Sequence, residues 1–371
     1  MDDIIISFCL PVYNQRDLVE RCIKSIIGYK KNNIEIVVND DNSTEDIQGL
    51  VAEIDDDRIH YYKNENNLGH DRNIINSFKH ARGKYVYLLR SRDYMIKEAI
   101  DHLVEKVSLS NCVYITATAI NEMGQDRYVY EDTIIHQGKD TLEAHFRLFV
   151  HPSGSAYIRD QEIIANIERF IISNVDNKFG FLVHSLLRIQ LSQIGDFQLI
   201  SKPTWVYVDT SKQQDIAFNK TSNNKSVYDP EYTIKRFECE AKWAYEVFSK
   251  NKYSIAFEKL YCMYLEAITW GFKYKNSDKR LQKHYQYKKR KFSVLKEQDR
   301  FYKTAIEIYC KTTNVKTVPD SLKKRIKSIN KRNMARGWFK YFVMYILKDS
   351  IFYNKVALLY KKIKYSKNGK R

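Results

Sequence analysis

No Cys-x-x-Cys pair occurs among the six cysteines of this 371-residue chain, and no His/Cys cluster has the spacing of a zinc site. Cys9, Cys22, Cys112, Cys239, Cys262 and Cys310 are scattered, the pattern of reduced thiols and not of a disulfide framework. No signal peptide precedes the first apolar segment at Ile4, so the expected compartment is the cytoplasm. The C-terminal region also lacks a long apolar run. Its longest, Trp338 to Leu347, is interrupted by Lys340 and falls far short of the roughly 20 residues that span a bilayer.

Acids are missing from one place in particular. The segment from Lys323 to Arg371 holds 16 of the chain's 62 Lys and Arg but only one of its 45 acids, Asp349, so most of the +17 charge sits in this tail. Such a segment seeks phosphate. Trp338, Phe339, Tyr341, Phe342, Tyr345 and Ile346 mingle there with Arg336, Lys340 and Lys348, as in a helix lying at a membrane interface. Lys288-Lys-Arg-Lys291 adds to the cationic surface. No nucleic-acid motif accompanies the charge. The expected partner is therefore an anionic membrane surface and not nucleic acid, with peripheral attachment at the inner face of the membrane. A helical domain with a solvated lysine face is the alternative.

What is present is a 44% hydrophobic content patterned in two ways. Up to about residue 110, strand and helix alternate: a strand from Ile4 to Leu10 ended by Pro11, a helix from Arg16 to Ile27, and a strand from Ile34 to Val38. A helix through Leu50 to Ile54, capped by Ser43 or Thr44, leads to a strand from Arg58 to Lys63. A turn at Gly69 opens a helix from Asp71 to His80, which delivers the chain to a strand at Tyr85. Alternation of this kind predicts an α/β fold with a mostly parallel sheet and flanking helices. Further strands are expected near Val113 to Ala119, Ala156 to Ile158 and Trp205 to Val208, with helices at Thr141 to Phe149, Gln161 to Phe170 and Phe179 to Gln193. After a polar stretch, Asp229-Pro230 starts a helical region as N-cap and first helical residue. The expected division is 1–210, a linker at 211–228, and a basic, mainly helical region at 229–371.

The strand at Tyr85 runs into Arg90-Ser-Arg-Asp93, which reads as an anion site, since ligands of open α/β sheets collect beyond the strands' carboxyl ends. Three other segments fall at the same edge: Leu10-Pro-Val-Tyr-Asn14, Asn39-Asp-Asp-Asn-Ser-Thr-Glu-Asp46 and Asn66-Asn-Leu-Gly-His-Asp-Arg-Asn73. In order and spacing the four resemble the inverting family 2 glycosyltransferases of the GT-A fold, a Rossmann-like architecture. The resemblance implies a nucleotide site formed by Pro11, Tyr13, Asn14, Asp40, Asp41, Asn67, Gly69 and Arg72, with Tyr13 stacking on a base or ribose, a carboxylate accepting from uracil or ribose, and Arg72 on the diphosphate side. Asn42 stands where the family usually has Gly, a residue that also tolerates left-handed geometry.

Two departures bear on mechanism. The family's Asp-x-Asp metal motif is here Arg90-Ser-Arg92, leaving Asp93 as the remaining carboxylate, so the arginines are expected to bind the leaving diphosphate without a cofactor; Mg²⁺ or Mn²⁺ enters only if Asp93 suffices. The family's catalytic base falls on His184, counted back from Gly195, with Asp176 in reserve and a packed helix histidine as the alternative. His151-Pro-Ser-Gly-Ser-Ala-Tyr-Ile-Arg159 resembles the loop that approaches the donor sugar, through Ser153, Gly154 and Ser155, although an ordinary turn explains the serines equally well. Trp205 reads as a sugar platform or a core residue. The function implied is transfer of a sugar from a nucleotide sugar, in first instance a UDP-sugar, to a glycan or lipid-linked acceptor in bacterial cell-surface polysaccharide synthesis. A catalytically inactive GT-A domain serving as a binding or assembly subunit is the rival.

Overall fold

The computed structural model describes residues 3–147, 151–175, 182–208, 229–274 and 293–341. The chain divides into two units, 1–225 with 242–256, and 226–241 with 257–371. The first is built on β1 (Ile6–Val12), β2 (Ile34–Asp40), β3 (Ile59–Lys63), β4 (Tyr85–Leu88), β5 (Tyr94–Met95), β6 (Tyr114–Asn121), β7 (Thr133–Ile135), β8 (Ser155–Ile158) and β9 (Phe197–Tyr207). Its helices are α1 (Arg16–Ile27), α2 (Ile47–Ile54), α3 (His70–His80), α4 (Ile100–Ser108), α5 (Lys139–Arg147), α6 (Gln161–Asn174) and α7 (Val183–Leu191).

The strands form one mixed sheet in the order β3-β2-β1-β4-β8-β6-β9-β5, with β7 also pairing β9. β1 pairs in parallel with both β2 and β4, while β8 runs antiparallel to β4 and β6. The chain steps from β1 outward to β3 and returns on the other side at β4, so the switch point lies between β1 and β4, where a crevice opens at the carboxyl ends. β2 is buried at every position, as a strand covered on both faces must be. The first of its two acids, Glu35, accepts from Ser7 Oγ at 2.6 Å and from Arg82 Nε at 2.8 Å.

Pro11 does not end β1. The strand continues to Val12 with Pro11 opposite Asn39, because pairing with β4 stops at Cys9 and beyond it one edge of β1 needs no N–H donor. The cap of α2 is neither Ser43 nor Thr44 but Asp46, which accepts from Gly49 N at 2.8 Å and starts the helix at Ile47. Ser43 instead donates to Asp40, and Thr44 bonds to Asn14. The last strand begins at Phe197, well before Trp205, and pairs in parallel with β6 on both sides of an irregularity at Ala117/Ala119. Trp205 is 1% exposed and belongs to the apolar core.

In the second unit Asp229 accepts from Glu231 N at 2.9 Å and Pro230 opens α8 (Pro230–Val247), as the sequence predicts. α9 (Lys250–Tyr274), α10 (Ser293–Thr313) and α11 (Asp320–Tyr341) follow. Phe237, Phe257, Tyr261 and Phe301 form the unit's aromatic core, with Tyr261 stacked on Phe301 at 5.2 Å. Residues 242–256 count with the first unit, where Trp243 Nε1 donates to Leu186 O at 3.0 Å. The expected linker at 211–228, the reserve base Asp176, Lys288–Lys291 and the tail beyond Tyr341 lie outside the described residues. No described helix is long and apolar enough to cross a membrane.

Candidate active site

The crevice is stitched together by short polar side chains. Asn73 on α3 donates to Val12 O at 3.2 Å and to Asn39 O at 3.1 Å, tying that helix to the ends of β1 and β2. Asn14 and Asn42, at φ 57° and 61°, turn the chain after β1 and β2 in the left-handed region that asparagine tolerates. The Asn14 side chain accepts from Thr44 N at 2.9 Å, so the two turns hold each other.

The carboxylates of Asp40 and Asp41 are already engaged. Asp40, fully buried, accepts from Ser43 N at 2.9 Å and Tyr61 OH at 2.8 Å. Asp41 accepts from Leu68 N at 2.7 Å, Gly69 N at 2.9 Å and Asn64 Nδ2 at 2.9 Å, which fixes the Gly69 turn at φ 86°. Burial lifts the Asp41 carboxyl above its ordinary value, with Asp40 adding to the rise and these bonds opposing it. Both acids brace the turns that follow β2 and precede α3. Tyr13 is half-buried beside them, Asn67 is exposed, and Arg72, in the first turn of α3, is half-exposed and makes no hydrogen bond or ion pair among the described residues.

After β4 the chain forms a second hub. Asp93 has no exposed surface: Oδ2 accepts from Ser153 Oγ at 2.6 Å and from Arg90 Nη2 and Nε at 3.1 and 3.2 Å, and Oδ1 accepts from Val208 N at 3.1 Å. A carboxylate so placed positions Arg90 and does not touch a substrate. Arg90 Nη2 also lies 2.5 Å from His151 Nε2, a contact in which the guanidinium donates. Burial, then Arg90 and Arg92, then His184 and His70 drive the proton affinity of His151 well below the usual range, so it is neutral. Its ring packs on Trp205 at 5.4 Å. His70, Arg92 and His184 lie within electrostatic range of His151.

The serine loop serves packing. Gly154, at φ 84°, lies so close to Trp205 that a Cβ there would sit 2.0 Å from the indole nitrogen. Ser155 is fully buried and bonds to Tyr114 OH at 3.0 Å and Thr116 Oγ1 at 3.2 Å, away from any sugar. Ser153 is spent on Asp93.

His184 lies in the first turn of α7 and is 7% exposed. No side chain of α7 caps that end. Asp71 does so from α3, accepting from Leu182 N at 3.1 Å with each oxygen and from Val183 N at 3.5 Å. The sequence reading passed over Asp71 because its partner is 111 residues away, although it stands inside the Asn66–Asn73 segment.

Residues 7–163 match the profile described as Glycosyl transferase family 2. These residues, under half of the chain, carry its likeness to the family 2 glycosyltransferases. Similar proteins include GalNAc(5)-diNAcBac-PP-undecaprenol beta-1,3-glucosyltransferase of Campylobacter jejuni, 31% identical over 38% of this chain and 48% of that one. UDP-Glc:alpha-D-GlcNAc-diphosphoundecaprenol beta-1,3-glucosyltransferase WfaP of Escherichia coli is 30% identical over 30% of this chain and 46% of its own length. The chain thus spans less than half of these curated relatives. Residues 1–349 of S. aureus TarS, solved in complex with UDP-GlcNAc, share the fold at a TM-score of 0.56 and 14% identity, covering 91% of each chain.

Members of family 2 are expected to hold a metal at the carboxylates following β4. The residues present here do not fit one there. The loop after β4 offers Arg90 and Arg92, both Asp93 oxygens are taken, and among the described residues no group of three His, Cys, Asp or Glu can hold an ion.

Proposed function

We propose that the chain is an inverting glycosyltransferase that moves a sugar from a nucleoside-diphosphate sugar, in first instance a UDP-sugar, to a hydroxyl of a glycan or lipid-linked acceptor in bacterial cell-surface polysaccharide synthesis, without a metal. The observation that carries this is the placement of basic residues at the sheet's switch point: Arg90 and Arg92 follow β4, and Arg72 stands in the first turn of α3, the helix tied to the ends of β1 and β2 through Asn73. UDP is favoured by the UDP-GlcNAc complex of the TarS fragment and by the printed donor of the E. coli relative. A lipid-linked acceptor is favoured by the undecaprenol diphosphate in both relatives' names.

In this reading His184 takes the proton of the acceptor hydroxyl as its oxygen bonds to the anomeric carbon. The bond from that carbon to the diphosphate oxygen breaks, and UDP departs with the electron pair. Arg72 and Arg92 stabilise the developing charge directly; Arg90, braced by Asp93 and His151, fixes their surroundings and contributes its own charge. In this reading guanidiniums supply the positive charge that a divalent ion supplies elsewhere.

Calorimetry with UDP, in EDTA and then in Mg²⁺, tests this. Equal affinity in the two buffers is expected, with a loss of about tenfold or more in Arg72→Ala. Binding that requires Mg²⁺ would overturn the metal-free mechanism. The engagement of Arg90 and Asp93 within the protein is also what an inactive binding subunit would show. Absence of binding to every nucleoside diphosphate selects that alternative.

A further inference from the structure

Alternation along β6 sends Ile115, Ala117 and Ala119 into the apolar core and leaves Tyr114, Thr116 and Thr118 on the opposite face of the sheet. That face is just as deeply buried, at 0%, 3% and 2% exposure. β8 extends it in register, with Tyr157 beside Tyr114 and Ser155 beside Thr116. Covered sheet faces are ordinarily apolar, and this one carries hydroxyls at five positions, three on β6 and two on β8. The hydroxyls are partly linked to one another, through Tyr114 with Ser155 at 3.0 Å and Ser155 with Thr116 at 3.2 Å.

Arg188 of α7 belongs to this buried layer. It is 6% exposed, its Nε and Nη1 are buried with no hydrogen-bond partner, and no carboxylate pairs with it among the described residues. Its charge opposes the upward push that burial gives the hydroxyls of Tyr114, Tyr130 and Tyr157, and it adds to burial in holding His145 neutral. The guanidinium therefore lies within electrostatic range of three phenols and a neutral imidazole. Leaving a buried cation without a counter-charge costs stability, so fold stability does not account for an arginine here. Arg188 follows His184 by four residues, which places the two on adjacent turns of one face of α7.

We propose that Arg188 anchors a second anion subsite, one helical turn from His184, that receives a carboxylate or phosphate group carried by a sugar substrate. The planar guanidinium fork matches either group, and the neighbouring phenols add donors. Assigning the anion to a sugar rests on the transferase reading; the anion subsite itself does not.

Calorimetry with D-glucuronate and with inorganic phosphate tests it on the full chain, with and without saturating UDP, which fills the Arg72/Arg92 region. Wild type is expected to bind at least one of the two anions on top of UDP. Arg188→Met should weaken that binding by about tenfold or more while UDP affinity stays within about twofold. Thermal unfolding supplies a second readout. Removing an unpaired buried cation should leave the melting temperature of Arg188→Met, or of Arg188→Gln if the first variant misfolds, equal to or above that of wild type. Failure of both anions to bind wild type, or equal binding to wild type and variant, overturns the subsite. A lower melting temperature with anion binding unchanged also overturns it and marks Arg188 as structural. If UDP does not bind, the transferase reading fails while the UDP-free arm still decides the subsite. Arg188-dependent preference for UDP-glucuronate over UDP-glucose assigns the anion to the donor; equal affinity for both, with free anion still bound beside UDP, assigns it to the acceptor.

Discussion

Asp93 shows how one side chain can organise a site without entering the chemistry. Its two oxygens gather Arg90, Ser153 and the backbone of Val208, which come from three separate stretches of chain. Because the Arg90 side chain is 11% exposed and that of Asp93 has no exposure, removing the carboxylate strands a buried cation. Asp93→Ala is expected to cost about 3–5 kcal/mol by chemical denaturation. A cost under about 1 kcal/mol would show that Arg90 finds solvent instead. Glu35 does comparable work at the opposite end of the strands. Burial would raise its carboxyl, but bonds from Ser7 and Arg82 outweigh burial and hold it below the ordinary glutamate value. A depressed carboxyl stabilises the fold above its unfolded value, about 4.3, and that contribution is lost as pH falls through the lower folded value. Glu35→Gln should therefore flatten the decline in stability of the wild type between about pH 4.5 and the acid transition. An unchanged acid limb would exclude Glu35 as a contributor. Neither hub is legible from sequence: Ser153 lies 60 residues from Asp93, and Arg82 lies 47 from Glu35. Likeness to a donor-sugar loop points Ser153 at a sugar, whereas its hydroxyl is bonded to Asp93.

Local elements were more legible than the bonds between them. α1 was expected at its observed bounds, and α3 one residue short, because amphipathic spacing and the Gly69 turn are contained within about a dozen residues. The first half of β9 escaped notice because Lys202-Pro203 interrupts its apolar pattern, and its pairing with β6 is visible only in three dimensions. The start of α7 is the instructive case. Its N-terminal N–H groups are satisfied by Asp71 of α3, so the helix that carries His184 is held by the helix that carries Arg72. A shared carboxylate at a helix N-terminus contributes about 1 kcal/mol, enough to place a side chain but small against the whole fold. Asp71→Ala is expected to lower kcat by about tenfold or more while UDP affinity changes little, since His184 would be displaced and Arg72 would not. Asp71→Asn keeps an oxygen acceptor and should recover part of the loss. Equal losses in kcat and in UDP affinity would show that Asp71 supports the whole crevice.

At the scale of the molecule the body is nearly neutral and the charge is concentrated near the C-terminus. In the described part of α11, Leu322, Ile326 and Ile329 are buried while Lys323, Lys324, Lys327, Lys331 and Arg332 are exposed. Arg325 pairs with Glu258, and the other five have no acid on their own helix after Asp320. The apolar stripe is satisfied by packing, so the exposed face offers charge without apolar area to insert. Each lysine near an anionic surface contributes about 1 kcal/mol, and the effect falls off within a Debye length. The acceptors named for the relatives are lipid-linked, and under the proposed function this cationic face would meet an anionic membrane surface. Cosedimentation with phosphatidylglycerol vesicles should therefore be retained over neutral phosphatidylcholine and should weaken steeply as salt rises. Reversal of Lys323, Lys324, Lys327 and Lys331 to Glu should reduce it by at least about tenfold, with UDP binding intact as the check on folding. Binding that is indifferent to lipid charge, or equally strong to a DNA duplex, would show that the cationic face does not select a membrane.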